Sequence, residues 1–155
     1  DLVLRYYYHP HTEGSNSLKY VLPASLNESS FLQDTYSRPI YGVAGGITSL
    51  NFRNKQWIHR DPSGKVLDPY KTLEPIFSTE EDRLIEAMYP ETEIADGGAA
   101  MMAYARMQFT EMEEHEAKRI SQALLRYCEL DTLAMVFLFQ YWQSEAVAVR
   151  KKTVA

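Results

Sequence analysis

The sequence predicts an α+β domain that is rich in helix, with its β structure confined to the first half of the chain. All seven prolines lie at or before Pro90, and all seven glycines lie at or before Gly98. Residues 99–155 therefore contain no helix-breaking residue, which is what long uninterrupted helices require. Residues 36–77 combine prolines and glycines with short β-like runs, and we interpret them as a β-containing insertion. Residues 78–149 form the helical part of this prediction.

The composition suits a globular domain with a hydrophobic core. Of the 155 residues, 45% are hydrophobic and 24% are charged, and we expect residues 1–155 to form a single domain or a domain fragment. Cys128 is the one cysteine, so it cannot form an internal disulfide, and a reducing, cytoplasmic location is expected. The longest apolar runs, Ala99–Ala105 and Leu133–Phe139, are much shorter than the ~20 residues of a membrane-spanning helix. We therefore expect no membrane partner.

Local patterns predict the elements before the insertion. Leu2–Tyr8 suits a strand, although it could equally start a helix. Ser15 or Ser17 can cap a short helix over Leu18–Leu22, which should stop before Pro23.

Within the insertion, the pattern predicts a β-hairpin. Ile47–Phe52 and Gln56–His59 flank Arg53-Asn54-Lys55, and Asp61-Pro62-Ser63-Gly64 has the composition of a turn.

Three helices are predicted after the insertion. The first starts at Ser78-Thr79 and ends before Pro90, and the second follows Gly97-Gly98 and reaches about Phe109. Thr110-Glu111-Met112-Glu113 has the form of a capping box and should start the third and longest helix.

The apolar stripe of this longest helix is interrupted by a carboxylate. The stripe follows steps that are mostly three, four or seven residues: Ala117, Ile120, Leu124, Tyr127, Ala134, Met135, Leu138 and Trp142. Asp131 occupies the position between Tyr127 and Ala134. An ionised carboxylate on a buried helix face costs several kcal/mol unless it is paired, hydrogen-bonded or bound to a metal.

Two interpretations of Asp131 remain open. The helix could break at Glu129, so that Asp131 caps a new helix. Alternatively, Asp131 is a metal-binding carboxylate that faces a cleft. Tyr127 lies one turn earlier on the same face, where its phenol could position water.

The residues around Asp131 resemble a known motif. The stretch LLRYCELDTLAMV (124–136) resembles the last motif of DEDD-type 3′-to-5′ exonucleases, in the variant with Tyr-x-x-x-Asp. Together with GSNSLKYVLP (14–23), Asp1-Leu2 and Asp96-Gly97-Gly98, it resembles a bacterial family of uncharacterised proteins. The C-terminal region of that family carries an exonuclease-like, RNase H-like fold. The resemblance touches both ends of the chain, so residues 36–77 would be an insertion and the central sheet would be incomplete here.

The resemblance implies hydrolysis of phosphodiesters by two metal ions. In such sites four carboxylates hold two Mg²⁺ or Mn²⁺ ions ~4 Å apart. By this resemblance Asp131 is a catalytic metal ligand and Tyr127 orients the attacking water, at the 3′ end of DNA or RNA.

The first two carboxylates of the family come as Asp-x-Glu, and this chain contains no Asp-x-Glu. We expect them in a missing N-terminal part of the same protein, upstream of Asp1, and we expect this chain alone to be inactive.

A basic segment lies in the insertion. No acidic residue occurs from Tyr36 to Arg60. Arg53, Lys55 and Arg60 supply positive charge there, and Trp57 supplies an aromatic ring. This combination suits single-stranded nucleic acid, although a hairpin with a polar exposed face explains the same residues.

Lys19 could meet a phosphate or simply lie on a helix surface. A non-catalytic module that binds nucleic acid or protein is thus the alternative function, and pairing of the helical part into a homodimer is a further interpretation.

Overall fold

The computed structural model describes residue 5, residues 7–73 and residues 99–154. Helices dominate these residues, so the helix-rich character that the sequence predicts is confirmed. The elements include two short 3₁₀ helices, Pro10–Thr12 and Pro69–Thr72, and the α-helices α1 (Leu18–Glu28), α2 (Ser30–Tyr36), α3 (Ala99–Phe109) and α4 (Glu114–Val154). Most of Leu2–Tyr8, and the whole helix predicted before Pro90, lie outside the described residues.

The β-hairpin predicted for the insertion is wrong, because the described residues contain no sheet. Only isolated bridges occur there: Tyr41 with Ile47, Tyr41 with Lys55, and Arg60 with Val66. Local bonds replace a regular ladder, since the Ser49 hydroxyl accepts from the backbone N–H of Phe52 at 2.8 Å. Asn54 adopts a left-handed φ of 50°, which also ends any extended run. An RNase H-like fold, which is built on a sheet, is therefore not supported by this part of the chain.

Helix α1 continues through Pro23, so the predicted end before this residue is wrong. A proline in a helix interior costs about 3 kcal/mol. The buried side chains of α1 lie on both sides of it: Val21, Leu22, Ala24, Ser25 and Leu26. Burial of this face outweighs the lost hydrogen bond. Helix α2, which the sequence analysis did not predict, follows at once because the Ser29 hydroxyl caps it, accepting from the backbone N–H of Leu32 at 3.2 Å.

The chain divides into two compact units. The first unit comprises residues 1–72 and 130–155, and the second comprises residues 73–129.

The core of the first unit is rich in aromatic side chains. The rings of Tyr36 and Phe137 meet edge to face with centroids 4.5 Å apart, and the Tyr36 hydroxyl donates to Gln140 Oε1 at 2.9 Å. The loop after α2 adds a second aromatic group, in which Tyr41, Phe52 and Trp57 pack edge to face. The backbone N–H of Trp57 donates to the Tyr36 carbonyl oxygen at 3.1 Å, which links the loop to α2.

The second unit has a smaller core. Ala103 of α3 and Ile120 of α4 are fully buried, and the side chains packed against them are Met102, Met107, Met112 and Leu124. Arg106 and Glu116 form an ion pair at 3.3 Å. Helix α4 begins at Glu114, which is later than the capping-box pattern at Thr110 predicts.

We predict that Phe137→Ala lowers the free energy of unfolding by about 3–5 kcal/mol, because it opens a cavity in the core of the first unit. Phe139 of the same helix is 64% exposed, so Phe139→Ala should change stability by no more than about 0.5 kcal/mol. Urea denaturation of both variants measures the difference. Equal losses would contradict the described packing of α4.

Candidate functional site

Asp131 lies inside α4, which runs unbroken from Glu114 to Val154. The interpretation in which the helix breaks at Glu129 and Asp131 caps a new helix is therefore wrong. In the first unit the buried face of α4 comprises Leu130, Leu133, Ala134, Phe137, Leu138 and Tyr141. Met135 is 62% exposed, so the stripe predicted through Asp131 and Met135 is about one residue off the buried face. Asp131 is half-buried beside this face.

The phenol of Tyr70 forms a hydrogen bond with the Asp131 carboxylate. The Tyr70 hydroxyl donates to Asp131 Oδ1 with an O···O distance of 2.5 Å, which is at the short end for a hydrogen bond to a charged acceptor. The other carboxylate oxygen, Oδ2, has no hydrogen-bond partner among the described residues. The Tyr70 hydroxyl thus fixes one of the two oxygens of the carboxylate.

The short 3₁₀ helix Pro69–Thr72 positions Tyr70. Asp68 precedes it, and Asp68 Oδ1 accepts the backbone N–H of Tyr70 at 3.0 Å. Pro69 is buried and has no N–H to satisfy, so it suits the first helical position. An Asp-Pro-Tyr turn therefore presents the phenol to α4.

Two positive charges and a second carboxylate belong to the same cluster. The Lys19 ammonium lies 5.6 Å from the centroid of the Tyr70 ring, a cation–π distance. Burial raises the pKa of Asp68, and the Tyr70 N–H and the charges of Lys71 and Lys19 offset only part of that rise. The cluster of Lys19, Asp68, Tyr70, Lys71 and Asp131, which we call the Asp131 cluster, thus joins two residues that the sequence singled out.

The described part of the chain does not by itself fit a metal centre. Within it, no group of three or more His, Cys, Asp or Glu side chains could hold a metal ion. Asp131 offers one carboxylate, and a phenol already occupies one of its oxygens. What these residues can do unaided is accept hydrogen bonds at Asp131 and attract an anionic group to Lys19.

Tyr127 lies on α4 one turn before Asp131 and is half-exposed. Its role in orienting water stays a prediction.

The predicted nucleic-acid residues of the loop differ in their exposure. Arg53 is exposed, and its guanidinium donates to the carbonyl oxygens of Ser49 and Phe52 at 2.8 and 2.9 Å. The Lys55 ammonium lies 5.1 Å from the centroid of the Trp57 ring. Trp57 itself is 1% exposed, which places its ring in the core and not on a surface where bases could stack.

Arg60 is exposed. Its guanidinium donates to the Gly64 carbonyl oxygen and to Gln33 Oε1, each at 2.7 Å.

Tyr70 is the site residue that the sequence analysis missed. It lies 61 positions before Asp131, so no helical or strand periodicity relates the two. The one local signal is the Asp68-Pro69-Tyr70 sequence, which favours a turn that presents the residue after the proline.

In comparisons with known proteins, no family model, no curated protein and no solved structure matches the chain. Among the described residues, no helix is long and apolar enough to cross a membrane.

We predict that Tyr70→Phe lowers the free energy of unfolding by about 1–3 kcal/mol, because it removes the hydrogen-bond donor of a half-buried carboxylate. Tyr8 is 82% exposed, so Tyr8→Phe is the matched control and should leave stability within about 0.5 kcal/mol of the parent. Thermal and urea unfolding measure both variants. If Tyr70→Phe behaves like Tyr8→Phe, the hydrogen bond does not hold Asp131 in solution.

The raised pKa of Asp68 predicts a pH-dependent effect on stability. A carboxyl with a raised pKa in the folded state contributes stability that is present below its unfolded pKa and is lost as the pH rises through its folded pKa. Asp68→Asn should therefore gain stability relative to the parent at neutral pH, and the gain should shrink in acid. The amide oxygen of Asn can still accept the Tyr70 N–H.

Asp61 provides the control of opposite sign. A hydrogen bond from the Ser63 hydroxyl lowers the pKa of Asp61, so its contribution is present above the unfolded pKa and is lost as the pH falls. Asp61→Asn should therefore lose stability relative to the parent at neutral pH, and the loss should shrink in acid. Urea denaturation at neutral and acidic pH compares the two variants, and the same pH trend for both would contradict the described environments.

Proposed function

We propose that this chain is the C-terminal part of a metal-dependent 3′-to-5′ exonuclease that cleaves DNA or RNA with Mg²⁺ or Mn²⁺, and that Asp131 is one of its catalytic carboxylates. The observation that carries the proposal is the state of Asp131. One of its oxygens is fixed by Tyr70 at 2.5 Å, and its other oxygen has no hydrogen-bond partner in the described part of the chain. A fixed carboxylate with a free oxygen is the arrangement that a metal ligand needs.

The position of Lys19 supports a phosphodiester substrate. Its ammonium lies over the ring of the tyrosine that holds Asp131, so a cation and a candidate metal ligand share the Asp131 cluster. In the proposal Lys19 binds a substrate phosphate close to the reacting bond. Tyr127, one turn before Asp131 on α4, orients the attacking water.

The metal ions, when bound, would stabilise the charge on the attacking and leaving oxygens. Because Asp131 alone is not a metal centre, the proposal requires further carboxylates outside the described residues, and it requires a sheet there if the fold is RNase H-like. The proposed location is the cytoplasm, and the proposed partner is a 3′ end of DNA or RNA.

A non-catalytic nucleic-acid-binding module is the second candidate. The observation in its favour is that the described residues provide exposed cations, Arg53 and Arg60, but no group of metal ligands. An Asp-x-Glu pair on a predicted strand upstream of Asp1 would favour the enzyme, and a full-length sequence without such a pair would favour the module.

We predict that Asp131→Asn in the full-length protein lowers metal-dependent cleavage of an oligonucleotide by more than about 100-fold. The amide keeps an oxygen that can accept from Tyr70, so the melting temperature should change little. Release of a label from the 3′-terminal nucleotide measures cleavage at saturating Mg²⁺ or Mn²⁺. Tyr127→Phe should slow cleavage by about 10-fold without abolishing it.

Glu145→Gln is the matched control, because Glu145 is an exposed carboxylate of the same helix. This variant should cleave at the parent rate. Normal cleavage by Asp131→Asn would refute the assignment, and equal rates for Tyr127→Phe and the parent would make Tyr127 a structural residue.

A further inference from the structure

A polar groove lies in the first unit, between α2 and the segment 56–60. Its volume is about 390 Å³, within the range of about 300–1,000 Å³ that is common for ligand sites. Gln33, Asp34 and Ser37 line it from α2 and its C-terminal cap, and the opposite wall is formed by Gln56, Ile58, His59 and Arg60. We call it the Arg60 groove. Six of the seven side chains that line it bear a hydrogen-bonding group, although its accessible lining is more apolar than polar. The groove therefore suits a ligand that has both polar and apolar surface.

Arg60 is the fixed cation of this groove. Its two bonds, to the Gly64 carbonyl oxygen and to Gln33 Oε1, use only part of the guanidinium, which has five N–H donors. Gln33 is fixed in turn, since its amide nitrogen donates to the carbonyl oxygens of Leu26 and Asn27 at 2.8 and 2.9 Å. A preorganised guanidinium with spare donors is well suited to binding a phosphate.

The groove also offers acceptors. The carboxylate of Asp34 has no hydrogen-bond partner among the described residues. The amide nitrogen of Gln56 donates to the Ile58 carbonyl oxygen at 2.8 Å, which leaves its amide oxygen for a ligand. His59 Nε2 donates to the Gln56 carbonyl oxygen at 3.0 Å, so the segment 56–60 is internally braced.

The guanidinium of Arg60 and the acceptor oxygens of Asp34 and Gln56 together indicate the kind of ligand that the groove would bind. A bare anion would meet Arg60 but would be repelled by Asp34, whereas a nucleotide carries both a phosphate and the amino group of a base. Carboxylates and amide oxygens accept hydrogen bonds from such amino groups. Residues 36–60 contribute no carboxylate that would repel a strand, so Asp34 is the acidic side chain that lines the groove.

We propose that the Arg60 groove binds one nucleotide of a single-stranded nucleic acid, with Arg60 on the phosphate and with Asp34 and Gln56 accepting from the amino group of the base. The proposal rests on the proposed function, because it identifies where and how the strand is held away from Asp131. It predicts a preference for bases whose exocyclic amino group can donate to Asp34 and Gln56, so oligodeoxycytidine should bind more tightly than oligothymidine.

A charge placed in the groove tests the proposal directly. Ser37 lines the groove, whereas Ser30 is an exposed serine at the other end of α2 that does not. Fluorescence anisotropy of labelled oligodeoxycytidine, measured on the full chain with EDTA, should show about tenfold weaker binding for Ser37→Glu. Ser30→Glu, which adds the same charge, should bind nearly as well as the parent.

Arg60→Gln provides a second test, with Arg38→Gln as its control. Arg38 is exposed in the same acid-free segment but does not line the groove. Arg60→Gln should weaken binding about tenfold and lower the slope of log affinity against log salt by about one. Asp34→Asn should remove most of the preference for oligodeoxycytidine over oligothymidine while leaving the salt slope unchanged.

The outcomes separate this proposal from the proposed function. If Ser37→Glu and Ser30→Glu weakened strand binding equally, the groove would be overturned as a subsite. The nuclease proposal would not be affected by that result. If Arg60→Gln unfolds, as circular dichroism would show, the serine pair decides the question. The groove would also be refuted if Ser37→Glu bound an oligonucleotide that the parent cleaves as tightly as the parent does. Loss of cleavage in Asp131→Asn with normal strand binding would support the proposed function, and weaker binding by Ser37→Glu but not by Ser30→Glu would support the groove.

Discussion

The hydrogen bond between Tyr70 and Asp131 is the interaction on which the candidate site depends. A half-buried carboxylate loses part of its hydration, and the phenol restores one strong hydrogen bond at 2.5 Å. The same bond ties the 3₁₀ helix Pro69–Thr72 to α4 within the first unit. It therefore has a structural effect whatever else Asp131 does. A catalytic role additionally requires that the second oxygen meet a ligand, and for this reason an Asp-to-Asn change is more informative than any change that removes the side chain.

The charged side chains next to this hydrogen bond are Asp68, Lys19 and Lys71. Asp68 fixes Tyr70 through its backbone N–H, but its own burial raises its pKa, so at neutral pH the turn is held at some cost in stability. Lys19 and Lys71 reduce that cost by their charge. Uncharged side chains such as those of Asn and Ser also accept one backbone N–H, so this hydrogen bond does not require the charge of Asp68.

The sequence predicts the long final helix because residues 99–155 have no proline or glycine and repeat apolar residues at helical spacing. It also singles out Asp131, since a carboxylate between apolar positions is conspicuous. It places the buried face about one residue away, because Met135 is exposed and Leu130 is buried, and spacing alone does not distinguish adjacent stripes of one helix.

The errors elsewhere have a different origin. Tertiary burial carries α1 through Pro23, and local side-chain bonds such as that of Ser49 replace the predicted hairpin. The Ser49 bond is local, and the hairpin prediction did not take it into account. The burial that carries α1 through Pro23 is tertiary and is not encoded in local propensity. The partner of Asp131 could not be predicted for the same reason, since a contact between Tyr70 and Asp131 joins positions 61 residues apart.

The two proposed contacts with a strand are connected by α1. Lys19 lies in its first turn, and Gln33, which anchors Arg60, bonds the carbonyl oxygens of Leu26 and Asn27 in its last turn. At a rise of 1.5 Å per residue, the seven positions from Lys19 to Leu26 span roughly 10 Å. The two ends of α1 are thus far enough apart for Lys19 and the Arg60 groove to contact neighbouring nucleotides of one substrate. Neutralising both cations should then weaken binding by the product of the two separate effects, because sites this far apart act independently.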